Sequence, residues 1–154
     1  MTKMDPIDRR IVGLLQQDAR LTNKALAESV GIAASTCHER VRSLHQRGVL
    51  LGHHAEVSLG ALNRDLQAMV AVRLQPKTKE SIERFVAHMW QQPETLAVSL
   101  VSGADDVLIH IGVPDTQRLR ELVIDKVASF PGVVDERSSL IYEHRRKVAP
   151  EPLD

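Results

Sequence analysis

Residues 31–49, GIAASTCHERVRSLHQRGV, bring a thiol, two imidazoles and three arginines together on one predicted helix. A thiol beside histidines could act as a nucleophile or bind a metal. Cys37, however, is spaced i, i+4, i+7 with Val41 and Leu44, and that spacing is typical of an apolar helix face. A free cysteine on such a face behaves as a small hydrophobic residue. The spacing therefore predicts that Cys37 packs in a core and does no chemistry.

The histidines of this region do not have the spacing of a metal site. Their separations are seven, eight and one residues, so no two stand at i, i+4 on one helical face beside a third ligand. The four histidines of this region are His38, His45, His53 and His54. The rest of the sequence offers no recognisable nucleophile–base pair and no phosphate-binding loop. We therefore expect neither an enzyme nor a bound cofactor.

The segments before this helix predict a helix-turn-helix. Asp5 and Pro6 suit the start of a first helix, whose apolar residues recur at helical spacing. Thr22 is expected to cap a short second helix, and Gly31 is expected to end it. A turn of about four residues then leads to a third helix that begins at Ala34. Two short helices across a glycine-containing turn are the arrangement that DNA-binding proteins dock against a major groove.

The polar face of the third helix carries hydroxyls, a carboxylate and arginines, which can reach phosphates and base edges. A polar helix face is usually only solvated, and this alternative stays open for the helix taken by itself. The combination of three helices, the glycine turn and the arginines favours DNA. The predicted DNA contacts are Thr22, Asn23, Ser35, Thr36, His38, Glu39, Arg40, Arg42, Ser43 and Arg47.

The remaining residues predict an α+β fold with a ferredoxin-like βαββαβ domain. Apolar alternation predicts four strands, and two amphipathic stretches predict helices. The strands are expected at 68–75, 95–103, 106–113 and 133–144, and the helices at 79–92 and 115–130. This order gives an antiparallel sheet with both helices on one face.

The other face of the predicted sheet is too apolar to meet water. Such a surface indicates a partner subunit. We interpret His110 there as a partly buried sheet histidine, because no nucleophile or carboxylate pairs with it in a recognisable motif. The side chains expected on this face are Met69, Ala71, Ala97, Ser99, Val101, Leu108 and His110.

Composition predicts a soluble cytoplasmic protein that does not associate with membranes. The single cysteine excludes an internal disulfide, and no apolar run approaches the roughly 20 residues that span a bilayer. Residues 1–52 carry eight Lys/Arg against five Asp/Glu, and residues 53–154 carry twelve against fifteen, which indicates two modules with different partners. We expect a DNA-binding domain at 1–52, an extended linker at 53–66, a second domain at 67–144 and a flexible tail at 145–154.

Four short motifs in a fixed order make residues 4–144 resemble the Lrp/AsnC family, the feast/famine regulators. They are the Asp-x-x-Asp-x-x-Ile opening, the Gly-Ile turn, the Cys-x-x-Arg-Val-x-x-Leu helix and the Gly-x-x-Asp hairpin. The resemblance implies a bacterial or archaeal transcription regulator with a winged-helix-like DNA-binding domain and a RAM domain similar to the ACT domain. It also implies double-stranded DNA as partner, a nucleoid-associated location, a homodimer that pairs through the sheet, and octamers of four dimers. An amino acid or a related small molecule would bind between dimers as effector.

The hairpin between the second and third predicted strands is the expected effector site. Gly103 lacks a Cβ, so neighbouring backbone N–H groups can receive a carboxylate, while Asp105 or Asp106 can receive an α-ammonium. A plain turn with solvated aspartates is the alternative, since glycine and aspartate are ordinary turn residues. The family resemblance adds contacts in the last strand. The predicted ligand contacts are Gly103, Ala104, Asp105, Asp106, Ser138 and Ser139.

Two features depart from the family pattern. Ala33 and Ala34 stand where members often have Ser-Pro, and losing the serine cap costs about 1 kcal/mol unless Ser35 or Thr36 substitutes. Glu39 stands where a basic residue is frequent, so it either accepts from a cytosine amino group or pairs with a neighbouring arginine. The leading prediction is a DNA-binding regulator that responds to an amino acid. The alternative is a small-molecule-sensing oligomeric module that regulates a protein partner without binding DNA.

Overall fold

The chain divides into two structural units. The computed structural model describes residues 4–153. One unit contains the chain up to Ala55 together with the segment from Arg145 onward, and the other contains Glu56–His144. The C-terminal segment, which the sequence predicts as a flexible tail, is thus grouped with the N-terminal unit. The flexibility of that segment and the exact bounds of the linker stay predictions.

Three helices build the first unit: α1 (Pro6–Gln17), α2 (Asn23–Val30) and α3 (Ala34–Gln46). The residues predicted to begin and end the first two helices do so in the structure. Asp5 accepts a hydrogen bond from the backbone N–H of Asp8, and Thr22 accepts one from the backbone N–H of Ala25. Gly31 closes α2 in the left-handed conformation, with φ 76°. The sequence signals therefore place the helix-turn-helix correctly.

The core of the first unit is aliphatic apart from one thiol. Cys37 has no exposed surface, and burial raises the pKa of its thiol. The thiolate is the reactive form of cysteine, so this thiol is inert, as the helical spacing predicts. The buried apolar residues are Ile11, Leu15, Leu26, Ala27, Val30, Cys37 and Leu44.

After α3 the chain turns at residues 47–50, and the described residues form no strand before Leu66. Among the described residues, the regular secondary structure of the first unit is therefore three helices without a β-wing. At the other end of the chain, residues 149–152 lie beside α1 and line a cleft of about 410 Å³ with Val12, Gly13 and Val49.

The second unit contains a four-stranded antiparallel sheet. Its strands are β1 (Leu66–Leu74), β2 (Thr95–Leu100), β3 (Val107–Val113) and β4 (Val133–Ile141). They lie in the order β2-β3-β1-β4, and each neighbouring pair is antiparallel. This is the βαββαβ arrangement that the sequence predicts.

Two helical segments connect the strands, after a short 3₁₀ turn at Gly60–Leu62. Helix α4 (Lys79–Trp90) begins with a capping box between Thr78 and Ser81. Helix α5 (Thr116–Leu122) is capped by Asp115 and continues as a π-helix over Val123–Ala128. The predicted single helix over 115–130 thus changes hydrogen-bond register halfway along, which apolar spacing does not reveal.

The helices pack against one face of the sheet, where alternate residues of β1 and β3 point. The two strands contribute eight fully or almost fully buried aliphatic side chains, because successive side chains of a strand point to opposite faces. The buried apolar residues are Ala68, Val70, Val72, Leu74, Phe85, Met89, Val107, Ile109, Ile111, Val113, Leu119, Leu122, Val123 and Val127.

The opposite face of the sheet, here called the open face, carries the side chains that the sequence assigns to it. Met69 pairs with His110, and Ala71 pairs with Leu108, across β1 and β3. All four are half-buried. On β2, Ala97 and Ser99 lie opposite His110 and Leu108 and share their face. Val101, predicted to lie in the strand, follows the end of β2.

His110 is partly buried, as predicted. One of its ring nitrogens, Nε2, lies 2.9 Å from the side-chain oxygen of Gln67, and its ring lies 5.3 Å from that of His144. Burial lowers the pKa of His110, and the neighbouring His144 adds to the effect. None of the helices formed by residues 4–153 is long and apolar enough to cross a membrane.

Candidate nucleic-acid interface and effector cleft

Most of the predicted DNA contacts are exposed in the first unit. Those on α3 form a surface here called the polar face of α3, which consists of Ser35, Thr36, His38, Glu39 and Arg42. The side chains of two of them, Glu39 and Arg42, form no hydrogen bond or ion pair in the described part of the chain. Their charged groups are therefore available to a ligand. The exposed members of the predicted set are Thr22, Asn23, Ser35, Thr36, His38, Glu39 and Arg42.

A side-chain contact joins α2 to the polar face of α3. The amide nitrogen Nδ2 of Asn23 lies 3.0 Å from Nδ1 of His38. An amide NH₂ group only donates, so Nδ1 accepts and a neutral His38 carries its proton on Nε2. The structure thus brings these two predicted DNA contacts together.

The start of α3 has no side-chain cap. Ala33 occupies the N-cap position in extended conformation and offers no hydrogen-bond acceptor from its side chain. Ser35 and Thr36 do not replace the missing serine, since no side chain caps this helix. The expected loss of cap stabilisation, about 1 kcal/mol, therefore applies to this helix.

Two of the predicted DNA contacts, Arg40 and Arg47, are turned towards α1. The guanidinium of Arg40 lies 2.6 Å from Asp5 and 2.8 Å from Asp8, and that of Arg47 lies 3.1 Å from Asp8. The backbone N–H of Asp8 and then the Arg40 guanidinium lower the pKa of Asp5, while both carboxylates raise the pKa of Arg40. Ser43 is half-buried on the same helix.

These ion pairs are a feature that sequence reasoning missed. Asp5 is predicted only as a helix cap, and Asp8 is noted only as the second aspartate of the Asp-x-x-Asp-x-x-Ile motif. The available signal is the seven-residue spacing of Arg40 and Arg47, which puts both on one side of α3. It identifies a shared face but not the helix that the face meets.

Part of the predicted effector site lines a cleft at one end of the sheet, here called the basic cleft. It has a volume of about 580 Å³. Gly103, Ala104 and Asp106 come from the loop between β2 and β3, and Arg73 and Lys77 face them from the end of β1 and beyond. The lining residues are Arg73, Leu74, Gln75, Pro76, Lys77, Gly103, Ala104, Asp106 and Val134.

The loop that joins β2 to β3 is held in place by Asp106. Its buried carboxylate accepts a hydrogen bond from the backbone N–H of Leu74 and lies 2.5 Å from Nζ of Lys77. The backbone hydrogen bond, followed by Lys77, lowers the pKa of Asp106. Gly103 adopts φ 125°, a conformation that residues with a Cβ rarely reach. The loop is therefore longer and more firmly anchored than the plain two-residue turn considered as the alternative.

The other predicted ligand contacts lie outside the lining of the basic cleft. Asp105 forms an ion pair of 2.6 Å with Arg137 of β4. Ser139 pairs with Met69 on the open face, whereas Ser138 pairs with Val70 on the helix side. Successive strand residues point to opposite faces, so the two serines cannot line one site together. Sequence reasoning also missed the two cations of the cleft, Arg73 and Lys77.

Among residues 4–153, no group of three or more His, Cys, Asp or Glu side chains is placed to hold a metal ion. Residues 4–153 thus contain two candidate sites, an exposed polar helix face and a cleft lined by two cations. Together with the folds of the two units, these sites are typical of a DNA-binding protein with a separate small-molecule domain.

Comparison with known families agrees with this class. The AsnC-type helix-turn-helix domain matches residues 4–45, and the Lrp/AsnC ligand binding domain matches residues 67–148. The chain belongs to the Lrp/AsnC family of DNA-binding transcriptional regulators. The resemblance drawn from its short motifs and the predicted α+β fold class are both confirmed.

Individual relatives are similar over most of their length. The HTH-type transcriptional regulator AldR of Mycolicibacterium smegmatis is 42% identical over 147 residues, covering 96% of this chain and 86% of AldR. The leucine-responsive regulatory protein of Salmonella typhimurium is 34% identical over 140 residues, covering 91% and 85%. These relatives are transcriptional regulators, and the family is not known to be enzymatic.

A solved structure extends the similarity to the whole fold. A transcriptional regulator of Neisseria meningitidis, in a complex with L-Met, superposes with a TM-score of 0.89 at 30% sequence identity. The match covers 99% of this chain and 98% of that protein. Both units therefore have counterparts in a regulator that is known with an amino acid bound.

Proposed function

We propose that this regulator binds operator DNA in a sequence-specific way through α3, and that an amino acid or a related small molecule changes its DNA affinity or its assembly. The observation that carries the proposal is the exposed polar face of α3, with its unpaired Glu39 and Arg42, in the same chain as a basic cleft. The two sites lie in different units. This separation is what an effector-responsive regulator requires, because allostery needs two distinct sites.

Arg42 and Glu39 are the central DNA contacts of the proposal. Arg42 supplies a guanidinium for a phosphate or for guanine O6 and N7. Because the nearby Arg40 is bound to Asp5 and Asp8, Glu39 has no pairing arginine there and is free to accept from a cytosine amino group. Ser35, Thr36 and His38 contribute hydroxyl and imidazole contacts from the same face. Thr22, Asn23 and Ser43 complete the proposed interface.

The open face of the sheet is the proposed homodimer surface. Met69, Ala71 and Leu108 give it an apolar centre, and a two-fold pairing would bury that centre against itself. A dimer presents two α3 helices, which would read half-sites roughly 34 Å apart on the operator. We propose that dimers associate further into octamers, as the family pattern implies. The protein would then bind its operator DNA in the cytoplasm.

The basic cleft is the proposed effector site. Its two cations, Arg73 and Lys77, and the backbone beside Gly103 suit a carboxylate. Asp106 is the one acidic residue in the lining, and we propose that its carboxylate receives the α-ammonium in exchange for Nζ of Lys77. The L-Met complex of the Neisseria meningitidis regulator supports an amino acid as the ligand class. Asp105 contributes through its ion pair with Arg137. Ser138 and Ser139 point to opposite faces, so only one of the two belongs to a site that a neighbouring subunit completes.

Thermal-shift screening against the twenty amino acids tests the effector proposal. A ligand at 100 times its Kd stabilises the folded form by about 2.7 kcal/mol, so its melting temperature rises by a measurable amount. We expect at least one amino acid to raise it, and Arg73→Gln to abolish the rise. The matched control is Arg84→Gln, which removes a cation from α4 outside the cleft. A rise that survives Arg73→Gln would place the ligand elsewhere.

A further inference from the structure

Four charged side chains meet between α1 and α3 in the first unit, and they form a continuous network. Asp5 Oδ1 accepts the backbone N–H of Asp8 at 2.8 Å, and Asp5 Oδ2 lies 2.6 Å from Arg40. Asp8 Oδ1 lies 2.8 Å from Arg40, and Asp8 Oδ2 lies 3.1 Å from Arg47. Each of the four carboxylate oxygens therefore has a donor. We call Asp5, Asp8, Arg40 and Arg47 the interhelix charge network.

Because this network is partly buried, removing one partner costs more stability than removing one partner of a surface ion pair. Asp8 is only 5% exposed, so its charge is largely removed from water. A buried carboxylate is stable only while its partners stay in place, and losing one partner leaves an uncompensated charge. The network thus ties the beginning of α1 to two points on α3, one in its middle and one at its C-cap.

The arrangement around α3 separates these arginines from the polar face. At 100° per residue, Arg40 and Arg47 lie about 20° apart, whereas Arg42 lies roughly 150° away from them. Cys37 and Leu44 are buried on another side of the same helix. The apolar contacts and the charge network therefore hold two different sides of α3, and together they leave Glu39 and Arg42 facing outward.

We propose that Asp5 and Asp8 are positioning residues for DNA recognition, and that Arg40 and Arg47 act through these carboxylates instead of touching DNA. The inference rests on DNA binding by α3. The network sets the rotation of α3 about its own axis and so aims Glu39 and Arg42 at the groove. Breaking it changes which sequence is preferred, because base contacts require side chains held to within about 10–20°.

Salt dependence separates a positioning arginine from one that neutralises a phosphate. The logarithm of affinity falls with the logarithm of salt concentration in proportion to the number of phosphates neutralised. We would titrate the full-length protein with two labelled duplexes at four salt concentrations. One duplex is the best binder selected from a random-sequence library, and the other is an unselected sequence of equal length.

Arg42→Gln is the matched control for Arg40→Gln, since both remove one cation from the same helix. We expect Arg42→Gln to weaken both duplexes and to reduce the salt slope by about 1. Arg40→Gln should keep the wild-type slope, weaken the selected duplex about tenfold and lower its preference over the unselected duplex. A salt slope that falls by about 1 in Arg40→Gln would overturn the inference.

A double-mutant cycle covers the case in which a single variant unfolds. Asp8→Asn, Arg47→Gln and the double variant are compared for DNA preference and for circular dichroism. We expect the double variant to lose less DNA preference than the sum of the losses in the two single variants. In the double variant the Asp8 carboxylate and the Arg47 guanidinium are both absent, so neither charge remains without the other. Strict additivity of folded variants contradicts the network. Wild-type protein that binds neither duplex would refute DNA binding itself, a result distinct from altered slopes in the variants.

Discussion

The carboxylate of Asp106 accepts a hydrogen bond of 2.9 Å from the backbone N–H of Leu74, and this contact fastens the loop carrying Gly103 to the end of β1. The same carboxylate forms an ion pair with Lys77, another residue that lines the basic cleft. The Asp106 carboxylate therefore both anchors the loop and lines the cleft. Any ligand that competes for Asp106 acts directly on the position of this loop.

Asp106→Ala should destabilise the protein by about 1–3 kcal/mol, because it leaves the buried N–H of Leu74 without an acceptor. Urea unfolding measures the change. Asp105→Ala is the matched control, since it removes the neighbouring carboxylate but breaks only the surface ion pair with Arg137, worth about 0–1 kcal/mol. Equal losses in the two variants would show that Asp106 is no anchor.

Gly103→Ala should destabilise by about 1–3 kcal/mol through backbone strain alone. Its φ is 125°, and an added Cβ would meet no atom within 4 Å, so a clash is not the cause. Gly13→Ala in α1 also meets no atom within 4 Å and has ordinary helical backbone, so it should stabilise by up to about 1 kcal/mol. Thermal unfolding of both variants checks the opposite signs, and a stabilising Gly103→Ala would contradict the strained loop.

Ala33→Ser should stabilise the first unit by about 1 kcal/mol, because it supplies the missing N-cap of α3. The melting temperature should rise by a few degrees. Ala34→Ser, one position further, is already inside the helix and lacks the geometry of a cap. It should give no gain. If both serines raise the melting temperature equally, the cap is not the reason.

His110 gives the second unit a pH dependence. Burial and, secondarily, His144 lower the pKa of His110 below its usual 6.5. The unfolded chain then binds more protons than the folded chain in this range, so stability falls as the pH drops below about 6.5. We expect urea midpoints of the wild type to fall more steeply between pH 7 and pH 5 than those of His110→Gln. His54→Gln, at an exposed position, is the control, and parallel curves for His110→Gln and wild type would refute the effect.

The sequence predicts well those features whose cause is local. Cys37 and Leu44 reveal a buried side of α3 because the period of a helix is 3.6 residues. The buried alternation from Ala68 to Leu74 follows from the two-residue period of a strand. The caps at Asp5 and Thr22 need only side chains and backbone a few residues apart. Each of these features could be read without knowing the fold.

The sequence fails where a residue's partner lies far along the chain. Arg40 and Asp8 are 32 residues apart, so nothing local tells that this arginine pairs with a carboxylate of α1. The family resemblance predicts Ser138 and Ser139 together, although adjacent strand residues point to opposite faces. Arg73 and Lys77 carry no local signal, because only the folded domain brings them beside Gly103.

The most direct test of effector-responsive DNA binding is a titration of the selected duplex with this protein, with and without the amino acid that raises its melting temperature. We expect the amino acid to change the Kd for DNA at least fivefold, in the range typical of allosteric coupling. Arg73→Gln should bind DNA like the wild type but lose this response. An unchanged Kd, together with an unchanged oligomeric state in sedimentation, would contradict an effector-responsive regulator.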